Sequence, residues 1–259
     1  MRTSSSEINQ QSSSNQLFSI LRNRWFILGI GMLLVSIVLA FTLDMQLYRV
    51  SLVAGLLGVA LAGYFILRIT LRPVQSAAMT EVANDIRNGA KTYLKRQVKT
   101  ILMVTPFFAG LLYLILDWKV AVTGVFGVLT SLLASYIGMS VSVRTNLQTA
   151  DIANEGKRSP FRIALFGGSV MGFCITGLSL IVLSFLFSIF KDPNALIGFA
   201  FGGGLAALFA QIGGGIFTKS ADIGADLVGK IESNIPEDDP RNAAVIADLV
   251  GDNVGDCAG

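Results

Sequence analysis

Four charged side chains in the run TKSADIGADLVGK are spaced to share one face of a helix. At 100° per residue, Lys219, Asp222, Asp226 and Lys230 fall within a sector of about 80°. Asp248, Asp252 and Asp256 then repeat at i, i+4 and i+8, and Glu237, Asp238 and Asp239 lie between the two sets. Two acid-bearing helices joined by an acidic turn can face each other across a cleft. The chain has no histidine, so acid–base work must fall to carboxylates, lysine, tyrosine or metal-bound water. Carboxylate oxygens without imidazole or thiolate suit hard cations. Mg2+ in particular takes one or two carboxylates together with waters and phosphate oxygens. A lysine one turn before the first aspartate adds a point charge for a phosphate group.

Aspartates at i, i+4 are commonly just a solvated helix face. Here they alternate with Gly, Ala, Val, Leu and Ile rather than with Lys, Glu and Gln. Like charges at that spacing also destabilise a helix unless something neutralises them. The pattern therefore predicts a metal or anionic-substrate site. The octapeptide GGGIFTKS has the outline of the phosphate-cradling loop G-x-x-x-x-G-K-[ST], but Thr218 stands where the second glycine belongs. An apolar run precedes it, where that loop requires a strand, so a nucleotide-binding loop is rejected.

The elements that must position these residues are membrane helices. Hydrophobic residues make up 53% of the 259 residues and charged residues 14%, against about 25% charged in soluble domains; the mean hydropathy is +0.64. Six apolar segments, at about 25–43, 50–69, 101–117, 120–143, 162–190 and 195–218, approach the roughly 20 residues that a span requires. In hydrocarbon each segment must satisfy its own backbone, so each is a helix. The fold class expected is all-α, a polytopic transmembrane bundle. Residues 1–24 form a polar, disordered cytosolic tail, residues 25–259 belong to the transmembrane domain, and residues 219–259 form a cytosolic acidic segment.

Charge sets the orientation. With the N-terminus inside, three basic residues precede the first span, seven run from Arg68 at the end of the second span to Lys99, four from Arg144 to Arg162 at the start of the fifth, and three follow the sixth. Arg49, Lys119 and Lys191 remain for the outer loops, so both ends are placed in the cytosol. Residues 81–99 read as a basic, amphipathic interfacial helix or a solvated connector, and the prolines and acids of 232–242 mark a turn. The net charge of +3, dispersed over short loops, excludes a nucleic-acid partner. The two cysteines, Cys174 and Cys257, imply neither a metal site nor a disulfide framework.

The segments GGGIFTKSADIGADLVGKIE and IPEDDPRNAAVIADLVGDNVGD resemble the membrane-integral pyrophosphatases, pyrophosphate-energised proton or sodium pumps. NGAKTYLKRQ, GMSVSVRTNLQTA and GGSVMGFCITGL carry a weaker similarity upstream, so the resemblance covers roughly residues 84–259. It implies a homodimeric helix bundle, embedded in lipid, that hydrolyses pyrophosphate by direct attack of water and couples this to proton translocation. By the same resemblance Lys219 contacts pyrophosphate, and Asp222, Asp226, Glu237 and Asp252 bind Mg2+. Asp256 helps to hold the attacking water, with Asp248 in the same acidic cluster. Gln211 stands near the position where many members place a gate arginine, so it is the ion-gate candidate, and the potassium-independent proton-pumping branch is the most similar. Ala243 replaces a usual proline, which predicts a slightly looser helix start. Family members are more than twice as long as this chain, which alone is expected to be inactive. The host membrane implied is a cell inner membrane, or alternatively that of an acidic organelle. A non-hydrolytic Mg2+ transporter using the same acids is the competing reading; Lys219 argues against it, because a cation path gains nothing from an ammonium one turn from its carboxylates.

Overall fold

Runs of Leu, Val, Ile and Phe uninterrupted by charge drive long helices, and such helices make up most of the computed structural model. It describes residues 47–72, 74, 76–154, 160–232 and 243–258. In order these form α1 (Leu47–Thr70), α2 (Ala77–Ile115), α3 (Trp118–Asn154), α4 (Pro160–Phe190), a 3-10 turn (Asn194–Leu196), α5 (Ile197–Gln211), a π turn (Ile212–Phe217), α6 (Thr218–Leu227), a second π turn (Val228–Glu232) and α7 (Ala243–Ala258). No strand occurs among the described residues. Five stretches are long and apolar enough to cross a membrane: Tyr48–Thr70, Met79–Ile115, Trp118–Ala153, Pro160–Phe190 and Asn194–Gly224. They match the second to sixth expected spans. The first, at 25–43, and the polar tail lie outside the described residues.

One expectation is corrected. Residues 81–99 are not a separate interfacial helix but the first half of α2, which runs on into the third expected span. Neither proline nor glycine falls between Lys91 and Pro106, so nothing interrupts the backbone ladder where the side chains change from wet to apolar. The helix starts on a capped turn: Ser76 Oγ accepts a hydrogen bond from Met79 N at 3.3 Å.

Helix α3 is the hub, with α2, α4, α5 and α7 all packed on it. Polar side chains along one stripe of it hold the turn between α1 and α2. Arg144 Nη2 donates to Thr70 O at 2.7 Å, and Gln148 Nε2 donates to Ile69 O at 2.5 Å and Arg72 O at 3.1 Å. Asp151 Oδ1 accepts from Ser76 N at 3.1 Å. The last carbonyls of a helix have no partner within it, and here the α1 carbonyls find side chains three to four residues apart on α3. At the far end of α3, buried Thr123 donates to Ala195 O at 2.5 Å and ties down the 3-10 turn.

Helix α1 lies along α4 with backbone close to backbone. A Cβ on Gly55 would come within 2.8 Å of Gly177 O, and one on Gly177 within 2.8 Å of Gly55 O. Small residues make such approach feasible in a bundle where lipid is as apolar as leucine. Phe65 stacks on Phe166 with ring centroids 5.1 Å apart, and Ala62, Ile69, Val170 and Cys174 complete that core. A second core, of Ala90, Leu94, Met139, Val143, Ala210, Val250 and Val254, joins α2, α3, α5 and α7. It is the one that supports the site. The glycine contact generates a controlled comparison with Gly63, whose Cβ would meet nothing within 4 Å. Gly177→Ala should destabilise the protein by about 1–3 kcal/mol through overpacking, whereas Gly63→Ala should be near neutral. Thermal exposure of the buried Cys174 thiol to a maleimide dye, in a Cys257→Ser background, reports the difference.

Candidate active site

The site is built where the α5 helix leaves the apolar core. Three successive glycines, Gly213 to Gly215, sit in the first π turn. A π turn inserts a residue and shifts the phase of everything beyond it, and glycine tolerates the crowding that results. Gly213 lies against the Tyr93 hydroxyl of α2, and Gly214 against the Gly255 backbone of α7, where a Cβ would approach Gly255 Cα to 2.7 Å. On the facing helix Gly251 lies against Thr218, with no room for a side chain. Thr218 itself is 5% exposed and donates to Gly214 O and, at 3.3 Å, to Gly215 O. The residue that spoils a phosphate loop is thus a buried packing residue at the helix–helix contact.

Directly after this contact the charges face each other. Lys219 Nζ lies 3.7 Å from Asp222 Oδ2 on its own helix and 3.9 Å from Asp252 Oδ1 on α7. At these distances the ammonium holds both carboxylates by charge and not by short hydrogen bonds. The three side chains are 62%, 44% and 51% exposed, so their mutual attraction adds little to stability. It leaves the donors and acceptors available to a ligand.

Of the remaining candidates, Asp226 follows Asp222 by one turn on α6, which is regular from Thr218 to Leu227 and keeps the expected shared face. Lys230 falls in the second π turn, where the 100° step no longer applies. Asp248 is half-buried on α7, one turn before Asp252, and Asp256 lies one turn after it in the same helix. Helix α7 begins at Ala243. Glu237 lies outside the described residues. Gln211 is exposed at the end of α5, eight residues before Lys219, with the first π turn between them. Among the described residues no three carboxylates converge closely enough to hold a metal ion by themselves. Paired carboxylates beside an ammonium fit a hard cation that shares its shell with phosphate oxygens better than one held by protein alone. Reading the sequence missed the hydrogen bonds that hold α7 to α3 through Asn253, because their partners are more than a hundred residues away in the chain.

A bundle of long apolar helices, with an ammonium and carboxylates exposed where the shorter α6 and α7 meet, defines an integral membrane protein. The family model described as inorganic H+ pyrophosphatase matches residues 56–259, starting earlier than the segments quoted above. The chain belongs to that family. It is 48% identical over 208 residues to the K(+)-insensitive pyrophosphate-energized proton pump of Methanosarcina mazei, covering 80% of this chain and 31% of that protein. It is 44% identical over 223 residues to the K(+)-insensitive pyrophosphate-energized proton pump 2 of Moorella thermoacetica, covering 83% and 33%. A putative K(+)-stimulated pyrophosphate-energized sodium pump of Clostridium tetani is 40% identical over 210 residues, covering 81% and 31%. The chain thus spans about a third of the length of the curated relatives it matches.

The contrast between exposed charge and buried contact is testable in stability alone. Lys219→Ala or Asp252→Asn should shift unfolding by less than about 1 kcal/mol. Gly251→Ala, which drives a methyl into Thr218, should cost about 1–3 kcal/mol. Melting curves in one detergent decide between them.

Proposed function

We propose that this chain supplies one acidic half of the active site of an ion-translocating inorganic pyrophosphatase, which splits pyrophosphate into two phosphates and moves protons out of the cytosol. The observation that carries the reading is Lys219 lying between Asp222 and Asp252 at the contact of α6 and α7, in a chain that belongs to the H+ pyrophosphatase family. An ammonium set among carboxylates suits an anionic substrate accompanied by cations. Two relatives named as K(+)-insensitive proton pumps, at 48% and 44% identity, support a proton-pumping, potassium-independent activity.

In this reading Lys219 binds a phosphoryl oxygen, and Asp222, Asp226, Asp252 and Glu237 hold Mg2+. Bound Mg2+ would neutralise substrate charge and stabilise the phosphoryl group in transfer. Asp256 orients water, with Asp248 as the second catalytic carboxylate in the same acidic cluster. The water oxygen forms a bond to one phosphorus as the bridging P–O bond breaks, and no covalent phosphoenzyme intervenes. Gln211 occupies the ion-gate position between site and bundle. The distribution of basic residues favours a cytosolic site with both ends of the chain inside, in a cell inner membrane, and the protein works as a homodimer surrounded by lipid. The comparisons give the alternative of a divalent-cation transporter no support, and Lys219 opposes it on charge.

The test uses the full-length protein in sealed inverted vesicles. Mg2+-dependent phosphate release from pyrophosphate should accompany acidification of the lumen. Lys219→Ala and Asp226→Ala should each lower both by at least about 100-fold, the scale of losing one preorganised charge contact. Accumulation of Mg2+ without pyrophosphate hydrolysis would overturn the proposal.

A further inference from the structure

Helix α7 is packed by α2, α3, α5, α6 and the first π turn, and apolar or main-chain groups make much of that contact. Val250 and Val254 bury one stripe of it in the core shared with α2, α3 and α5. Gly251 takes the Thr218 side chain of α6, and Gly255 meets the Gly214 backbone of the first π turn; these contacts allow close approach but include no directional bond. On a further side, among the described residues, α7 faces a cavity of about 440 Å3 lined by Met79, Val82, Ile86, Val143 and Leu147. Packing on that side is therefore loose.

Into this side projects Asn253, whose amide has three defined partners. Its Oδ1 accepts from Ser142 Oγ at 3.0 Å and from Asn146 Nδ2 at 3.0 Å, both on α3. Its Nδ2 donates to Leu249 O at 2.8 Å, within α7. Hydrogen bonds are directional where apolar contacts are not. Ser142 and Asn146 are one turn apart, so the two donors converge on Oδ1 from successive turns of α3. Asn253 also directly follows Asp252, and adjacent helical residues project about 100° apart. Fixing the azimuth of Asn253 fixes where Asp252 points. A rotation of α7 by about 20°, at a side-chain radius of about 5 Å, would move the Asp252 carboxylate by about 2 Å. Displacements of that size are costly in a site that must hold reacting groups in register.

We propose that Asn253 is a positioning residue: held by Ser142 and Asn146, it sets the rotation of α7 that keeps Asp252 opposite Lys219. The proposal rests on the reading of Asp252 and Lys219 as substrate-site residues. It assigns to the hub helix α3, which bears none of the site's charged groups, control over the strength with which the site binds its ligand.

The experiment measures binding of imidodiphosphate, a non-hydrolysable pyrophosphate analogue, to the full-length protein in nanodiscs with Mg2+ present. The variant Ser142→Ala/Asn146→Ala removes both donors from α3 and leaves α7 unaltered. It should weaken binding about tenfold, the scale of two lost hydrogen bonds. In an Asp252→Asn background the same pair of substitutions should change binding by less than about twofold, because the lever they act through is gone. Ser142→Thr/Asn146→Ala, which keeps one donor, should recover part of the loss. Asn253→Ala should reproduce the double variant and add nothing to it. Equal weakening in both backgrounds would show general destabilisation and overturn the proposal. No weakening, in a protein whose wild type binds the analogue, would do the same. A wild type that binds no analogue would instead overturn the site reading, and the positioning role with it.

Discussion

The arrangement depends on the closeness of two backbones. Helix α7 reaches the exit of α5 only because Gly214 and Gly251 have no side chains to hold it off, and buried Thr218 fills the space that remains. A contact of this kind forms by dispersion and loss of solvent, without charge, and can therefore be made at the margin of an apolar bundle. Once it is made, the next residues on either helix are Lys219 and Asp252, and they arrive facing each other. The charged cluster is a consequence of the apolar contact. Exposed ion pairs are too weak to bring two helices together, whereas a glycine seam backed by Val250, Val254, Ala210 and Met139 is not.

The rest of the bundle keeps that seam in place. Helix α3 holds the α1–α2 turn by Arg144, Gln148 and Asp151, the 3-10 turn by Thr123, and α7 by Ser142 and Asn146. These polar contacts sit at helix ends and between helices, where main-chain groups or amides would otherwise lack partners. Between them the contacts are small-residue packing, as at Gly55 and Gly177. A division between directional bonds at the ends and close packing in the middle is what a medium without water demands.

Much of this was legible in the sequence because hydrophobic runs and glycine density are local properties. The five described spans coincide with apolar segments, and the shared face of Lys219, Asp222 and Asp226 survives because α6 is regular across them. Where the reading failed, a local signal was missing or misleading. The change of solvent at residue 100 looked like an element boundary, yet no proline or glycine ends the helix there, and α2 continues. An unbroken 100° step puts Lys230 on the same face, but it falls in a π turn, which is set by tertiary crowding and has no sequence period of its own. Thr218 registered only as the wrong residue for a phosphate loop, and its place under Gly251 follows from a helix that begins some 25 residues later. Asn253 gave no signal, since its partners are 107 and 111 positions away.

Helix α2 gives the molecule a mechanical property. Its 39 residues make a rod of about 58 Å, nearly twice the thickness of a bilayer core of about 30 Å. One end presents Met103, Phe107 and Leu114 to the outside, and the other presents Glu81, Lys91 and Lys95. Tyr93 and Leu94, on the wet half, touch the first π turn and the core beneath α7. The helix is thus a beam anchored in one solvent and braced against the site in another. The break in its backbone ladder is Pro106, which has no N–H to donate, so a tilt of the lipid-embedded end bends the helix there before it is felt at the charged cluster.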